Sequence, residues 1–361
     1  MEDGIMVIKR IPVRDLEPGM ICANNTYNTL DQLVVPKDCV LNEQIIDRLL
    51  TYGILELAVK MPELEPAVTV FNSEIVKKTP EFKQFKNNYS EATDRFKSFL
   101  NSFVDADSNP DISELLHSTY EVMKQTRNSL HFFDIMNNMH DVNDSIYRHS
   151  MNVSMLCMTF AKWLGYDKNQ IGVLSVCGAL HDIGMLLIDP DIVNKPGELT
   201  PSEYAIVQTH TTLGYKLLKA KGFDEAVARC ALNHHERCDG SGYPSRLETN
   251  DIDDFSKIVA IADIYDAMTS KRSYREPLSP FDVVDVLESE GRNKYDQKLV
   301  CEFLERFSKT YSANTVLLSN GSTAKVVLMN SNWLSRPVVQ TNEGDFIDLA
   351  KNTNLKIISL V

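Results

Sequence analysis

The chain has 361 residues, 43 % of them hydrophobic and 24 % charged, with 50 acidic against 37 basic side chains and a formal net charge of −13. That length is enough to bury a substantial core and suits two or three domains. The acidic balance works against a nonspecific grip on long nucleic acid but leaves room for a small phosphate-bearing ligand held by local cations. No run reaches the ~18 apolar residues of a membrane span. The first ten residues have no basic stretch ahead of a long apolar one, which argues against secretion. Seven cysteines form an odd set without a Cys-x-x-Cys pair, so free thiols in a reducing cytoplasm are expected.

Residues 1–60 read as a small mixed α/β domain. Met6 through Ile11 is strand-like, Pro18-Gly19 is a turn, and Leu33-Val34-Val35 is a short strand ended by Pro36. Asn42 is placed to cap a short helix carrying Ile45, Ile46, Leu49 and Leu50, which Gly53 stops, and residues 54–59 return to strand. Residues 61–128 are polar with helical periodicity, broken at Pro80 and around Ser108-Asn109-Pro110. They form a helical connector that suits either pairing into a homodimer or spacing within one chain. From 129 to 310 the pattern is strongly helical, with Thr200-Pro201-Ser202-Glu203 a capping box opening one helix. Residues 311–361 are β-rich: strands at 323–329 and 336–340, a turn at Asn342-Glu343-Gly344-Asp345, and a last strand over 355–361. The fold class is therefore multidomain and mainly α.

Five of the eight histidines fall in the helical middle, at 149, 181, 210, 234 and 235. His149 shares a helical stripe with Val153, Leu156 and Phe160; His181 follows Leu174 and Cys177 by seven and four residues; His210 lies between Val207 and Leu213. Asp182 follows His181 directly, and Asp263 precedes Asp266 by three positions on an apolar helix. Buried carboxylates are costly unless cations lie beside them. Five imidazoles with Asp182 and Asp263 are too many ligands for one tetrahedral zinc and suit two octahedral cations bridged by a carboxylate. A nitrogen and oxygen donor set without thiolate favours iron or manganese, with zinc, nickel and magnesium less favoured.

The ordered series His181-Asp182-Ile183-Gly184, His210, His234-His235-Glu236-Arg237 and Asp239-Gly240-Ser241-Gly242-Tyr243-Pro244 resembles the HD-GYP family of cyclic di-GMP phosphodiesterases. The likeness continues through 194–200 and 262–270 to Arg272 and Arg275, and residues 1–60 are similar to a small region that often precedes this domain. It implies an all-α HD-type helical bundle flanked by the small N-terminal domain and the β-rich tail. It further implies that His149, His181, Asp182 and Asp263 hold one metal and Asp182, His210, His234 and His235 the other, with catalytic roles for Asp182 and His181. Hydroxide bridging the two metals would open cyclic di-GMP to linear pGpG, and some members continue to GMP.

Arg272 and Arg275 suit the substrate phosphates because a guanidinium bonds them through paired hydrogen bonds. Lys195 suits the phosphate side. Asp266 suits either a guanine edge or the support of a metal ligand, and Tyr243 either stacks on a base or caps its turn. The resemblance assigns the loop of Gly240, Gly242, Tyr243 and Pro244 to substrate access and GGDEF-domain partners. Two positions depart from the commoner pattern. Met185 stands where many members carry lysine. Ser145 stands where three-metal members carry glutamate, which implies two metals here. The alternatives are a weak or inactive effector that binds a cyclic dinucleotide or a GGDEF domain, and a phosphodiesterase for 3′,3′-cyclic GMP–AMP. Cys238, near the metals, and the connector histidines His117, His131 and His140 carry no assigned role.

Overall fold

The computed structural model describes residues 6–13, 16, 18–28, 33–49, 52, 54, 56–62, 80–105, 111–126, 132–133, 136, 146–195, 197–270, 278–289, 291–311, 314–330 and 333–360. Ser145, Arg272, Arg275, His131 and His140 lie outside the described residues. The chain divides into two units, Met1–Thr69 and Val70–Val361.

The first unit contains β1 (Met6–Pro12), β2 (Ile21–Cys22), β3 (Thr26–Tyr27), β4 (Leu33–Val35), α1 (Glu43–Leu49) and β5 (Glu56–Pro62). The sheet runs β1-β5-β2, antiparallel throughout, and β3 pairs with β4. Leu57 and Val59, two apart on β5, turn the same face inward onto a core with Val35, Leu41 and Leu49. The expected cap at Asn42 is present: its side-chain oxygen accepts from the Ile45 amide at 2.9 Å.

The second unit begins with α2 (Pro80–Val104), α3 (Ile112–Met123), α4 (Ile146–Trp163) and α5 (Lys168–Leu180), followed by a 3-10 helix (Ile183–Leu187). It continues with α6 (Pro190–Val193), α7 (Pro201–Gln208), α8 (His210–Ala220), α9 (Glu225–Asn233), α10 (Asp254–Thr269), α11 (Pro280–Ser289), α12 (Gly291–Lys294) and α13 (Gln297–Tyr311). Five strands close it: β6 (Thr315–Leu318), β7 (Thr323–Leu328), β8 (Val338–Thr341), β9 (Phe346–Asp348) and β10 (Ile357–Leu360), in the antiparallel order β10-β6-β7-β8-β9. The fold is multidomain and mainly α. The strand β6 was not expected from the sequence; it lies between β10 and β7, while β9 follows the turn at Asn342–Asp345 and pairs with β8.

Helix α2 buries an aromatic stripe of Phe82, Phe85, Tyr89, Phe96, Phe99 and Phe103 at spacings of three, four and seven residues, in one core with α4, α5 and α10. The α7 capping box forms as expected: Thr200 Oγ1 accepts from the Glu203 amide at 3.3 Å, and the Glu203 carboxylate accepts from the Thr200 amide at 2.7 Å. Helices α4 and α5 pack closely at Gly178, where a Cβ would lie 2.9 Å from the Val153 carbonyl oxygen and from Ser154 Cα. In the sheet, Val316, Leu318, Ala324, Val326 and Val339 join the same core, and Glu288 on α11 accepts from the Leu334 and Ser335 amides.

One expectation about apolar runs needs correction. The stretch Lys168–Leu187 is long and apolar enough to meet the composition of a membrane-crossing helix. It changes from α to 3-10 geometry at His181 and Asp182, and its apolar side faces the core of the helical unit.

Candidate metal centre

Five short stretches of chain deliver the histidines and carboxylates to one place. His149 lies in the first turn of α4, and His181 ends α5. Asp182 opens the 3-10 helix, His210 opens α8, His234 ends α9 with His235 next in line, and Asp263 lies within α10. The junction at Gly184 brings Asp182 to His210: a Cβ there would fall on the His210 carbonyl oxygen and 2.6 Å from the Gly214 nitrogen. Only glycine permits that approach of backbone to backbone.

Four imidazoles are held by their Nδ1 atoms. His181 Nδ1 lies 2.8 Å from the Gly178 carbonyl, His210 Nδ1 2.7 Å from Val207, and His234 Nδ1 3.0 Å from Cys230. His149 Nδ1 lies 2.7 Å from Asp266 Oδ2. Carbonyl and carboxylate oxygens only accept, so each Nδ1 is the donor, and a ring in its neutral form, the form that binds a metal, presents a bare lone pair on Nε2. Those lone pairs converge on Asp182. Its Oδ1 is 3.2 Å from His210 Nε2 and 3.4 Å from His234 Nε2; its Oδ2 is 3.5 Å from His181 Nε2 and 3.8 Å from His149 Nε2. The Nε2 atoms of His210 and His234 stand 3.3 Å apart with no proton between them in these tautomers. His181 Nε2 and Asp182 Oδ1 are buried without a hydrogen-bond partner.

Lone pairs facing lone pairs in a buried pocket are unfavourable unless a cation lies between them, so the donors present fit divalent metals. Asp182, His210, His234 and His235 each offer an atom within one 4.8 Å cluster, and His149, His181 and Asp182 form a second. Asp263 adjoins the second cluster, its Oδ1 3.1 Å from His149 Nε2. Asp182 thus presents one oxygen to each cluster. All seven residues named from the sequence come together here.

The other candidates separate. Asp266 is 2 % exposed and bonded to His149 and to Asn152 Nδ2 at 2.8 Å. Of the two alternatives, the contacts present are those of a residue behind a histidine. The Lys195 ammonium is engaged by both Glu203 oxygens, at 2.6 and 2.9 Å, and holds that carboxyl down at about 2; the phosphate role expected of Lys195 meets a partner already in place. Tyr243 stacks on the His235 ring at 4.7 Å and lines a cleft of about 510 Å³ with Gln208, Thr212 and Arg246. Met185 is half-buried on the 3-10 helix, His117 is exposed on α3, and Cys238 belongs to neither cluster.

Glu236 falls inside a sequence motif, but residue type and spacing gave it no role. It is buried, and its carboxylate accepts from the Ser245 and Leu247 amides at 2.6 and 2.9 Å, tying down the loop beyond Pro244. Gly242 lies against the same segment, where a Cβ would stand 2.5 Å from the His235 carbonyl oxygen.

A family model described as HD domain matches residues 113–299, more than half of the chain. The chain belongs to the HD domain family. Its Gly-Ser-Gly-Tyr-Pro loop at 240–244 and its ordered histidines put it in the HD-GYP group of that family. A relative from Vibrio cholerae serotype O1 named 3′3′-cGAMP-specific phosphodiesterase 1 is 40 % identical over 40 % of this chain and 33 % of its own length. One from Thermotoga maritima named cyclic di-GMP phosphodiesterase is 35 % identical over 48 % of each chain. The chain therefore spans a third to a half of the length of these curated relatives. A solved structure, Bd1817, an HDG"Y"P protein from Bdellovibrio bacteriovorus, aligns at 16 % identity with a TM-score of 0.47, over 82 % of this chain and 98 % of that one.

Electrostatics in this HD domain keep the carboxylates ionised. Burial raises the Asp182 carboxyl, but His181, His210 and His234 outweigh it and hold it well below the carboxylate range. Asp263 follows the same balance against His149 and His235. Burial pulls His149 down, yet Asp263 and Asp266 carry it well above the ordinary imidazole value, and Asp182 does the same for His210 to a smaller extent. His181 has no carboxylate behind it; burial lowers it to about 4.

A pH dependence follows. An unfolded histidine binds a proton near pH ~6.5, and folded His181 only near 4, so between these values the unfolded state holds more protons. The His181 contribution to the metal-free HD domain's stability is full above pH ~6.5 and is lost as pH falls toward 4. Urea unfolding of metal-stripped protein at a series of pH values should show a shallower acid loss in His181→Gln than in the wild type. Parallel curves would contradict the assignment.

Proposed function

We propose that this chain is a metal-dependent phosphodiesterase that hydrolyses cyclic di-GMP to linear pGpG. His149, His181, Asp182 and Asp263 would hold one divalent cation and Asp182, His210, His234 and His235 the other. The observation that carries this reading is the convergence of four Nδ1-anchored imidazoles, Nε2 foremost, on the two oxygens of Asp182. When bound, such a pair of cations supplies Lewis acidity toward a phosphodiester and hydroxide at neutral pH. The chain's own residues do the rest. Backbone carbonyls and Asp266 fix the ring orientations, and the ionised Asp182 and Asp263 balance the charge of the site. Tyr243 shapes the cleft beside His235, while Arg272 and Arg275 supply guanidinium groups for the phosphates. The absence of thiolate among the donors favours iron or manganese. The reading extends to a cytoplasmic location, supported by seven unpaired thiols, and, from the family resemblance, to GGDEF-domain partners at the 240–244 loop.

A second reading takes 3′,3′-cyclic GMP–AMP as the substrate, favoured by the name of the 40 % identical relative. Anaerobically purified protein, loaded with Fe²⁺ or Mn²⁺, should convert cyclic di-GMP to a linear dinucleotide resolved by chromatography. A higher kcat/KM on 3′,3′-cyclic GMP–AMP would select the second reading. Stoichiometric binding of either nucleotide without product would overturn both, and would give weight to Met185 as the mark of an effector.

A further inference from the structure

A hydrogen-bonded chain runs from His149 away from Asp182. His149 Nδ1–H donates to Asp266 Oδ2 at 2.7 Å, Asn152 Nδ2 donates to Asp266 Oδ1 at 2.8 Å, and the Tyr89 hydroxyl donates to Asn152 Oδ1 at 2.5 Å. Ser270 Oγ adds a longer bond to Asp266 Oδ2 at 3.3 Å. Tyr89 comes from α2, 63 positions before Asn152. It is 1 % exposed and is the one hydroxyl-bearing ring in a stripe otherwise built of phenylalanine. Packing alone would be met by a sixth phenylalanine there, and a buried phenol is costly unless its hydroxyl is bonded. The ring is held by Phe85, stacked at 6.0 Å, and by the Arg148 guanidinium 5.7 Å from its centroid.

The polarity of the chain has one consistent direction. Asp266 Oδ1 accepts from the Asn152 amide nitrogen, which leaves Asn152 Oδ1 to be satisfied by Tyr89. Without that hydroxyl a buried amide oxygen loses its donor, and the amide is free to turn away from Asp266. Helix α2 packs against both α4, which carries His149, and the 3-10 helix that Asp182 opens.

We infer that Tyr89 is a positioning residue for the His149 side of the metal centre: through Asn152 and Asp266 it sets the ring that turns Nε2 toward Asp182 and Asp263, and so ties cation binding there to the seating of α2. The inference rests on the two-cation reading above. Hydrogen-bond partners standing behind a metal ligand typically change metal affinity by roughly ten- to a hundredfold when removed.

The test is Tyr89→Phe, which keeps the ring and its packing. Titration of metal-stripped protein with Mn²⁺ by calorimetry should show one of two sites weakened about tenfold and the other unchanged. In metal-free protein with ¹⁵N-labelled histidine, the His149 Nδ1 resonance should move while that of His234 stays. In a double-mutant cycle with Asn152→Ala the losses should not add, because both act through one chain. Unaltered Mn²⁺ binding with an unmoved His149 resonance overturns the inference, as does equal weakening of both sites or strict additivity. A wild type that binds neither Mn²⁺ nor, under anaerobic conditions, Fe²⁺ overturns the proposed function instead, and the His149 resonance then decides the role of Tyr89 by itself.

Discussion

Asp182→Ala should abolish binding of both cations and turnover together. The carboxylate faces both clusters at close range, Oδ1 toward His210 and His234 and Oδ2 toward His149 and His181. Its removal leaves four imidazole nitrogens around a hole, with Asp263, beside His149, the remaining carboxylate of the proposed ligand set. Removing a partner behind a ligand already costs roughly ten- to a hundredfold in metal affinity or activity, so removing a shared ligand should cost more than about a hundredfold. Asp182→Asn, which keeps the shape and loses the charge, should fall on the same side. Calorimetry with Mn²⁺ and product chromatography read both effects. A variant that still binds one ion at wild-type affinity would show that the carboxylate does not serve both sites.

Gly184→Ala should destabilise the helical unit severely for the addition of a single methyl group. The added carbon would fall on the His210 carbonyl oxygen and 2.6 Å from the Gly214 nitrogen. Both are backbone atoms, so no side chain can rotate out of the way. Overpacking a tight site costs about 1–3 kcal/mol, and a backbone collision belongs at the top of that range or beyond. Relief requires α8 to move off the 3-10 helix, which separates His210 from Asp182, so metal affinity should fall with stability. Gly172 on α5 is the matched control, with nothing within 4 Å of its hypothetical Cβ; Gly172→Ala should be neutral or stabilise by about 0.5–1 kcal/mol. Urea unfolding of both variants decides it, and equal stabilities would mean that the two segments do not meet at Gly184.

The metal-centre residues were legible because their chemistry is conspicuous. Histidine is scarce in this chain, carboxylates are rare on apolar helical faces, and a Gly-Ser-Gly-Tyr-Pro loop following a His-His pair has few structural excuses. The caps at Asn42 and Thr200 were legible for a different reason: each bond spans only three residues, so the partners are neighbours in the sequence. The roles of the polar residues around the site were not legible. Asp266 shares a helix face with Asp263, and spacing alone left it between a base edge and a histidine; the fold buries it to 2 % exposure against His149. Lys195 looked available for a phosphate, but the turn between α6 and α7 folds it back onto Glu203. Asn152 meets Asp266 across 114 positions and Tyr89 across 63, distances over which no local pattern carries information.

What the amino-acid order determined by itself is the inventory: which side chains can hold cations, which stretches become helices, and where the chain must carry glycine or a cap, because these depend on residue type and short-range geometry. What only the tertiary structure decided is the assignment: that the two oxygens of Asp182 face two clusters, that Asp266 is buried behind His149, and that a phenol on α2 bonds Asn152 behind that pair. Those outcomes depend on how helices distant in the chain pack, and packing is set by the whole core acting together.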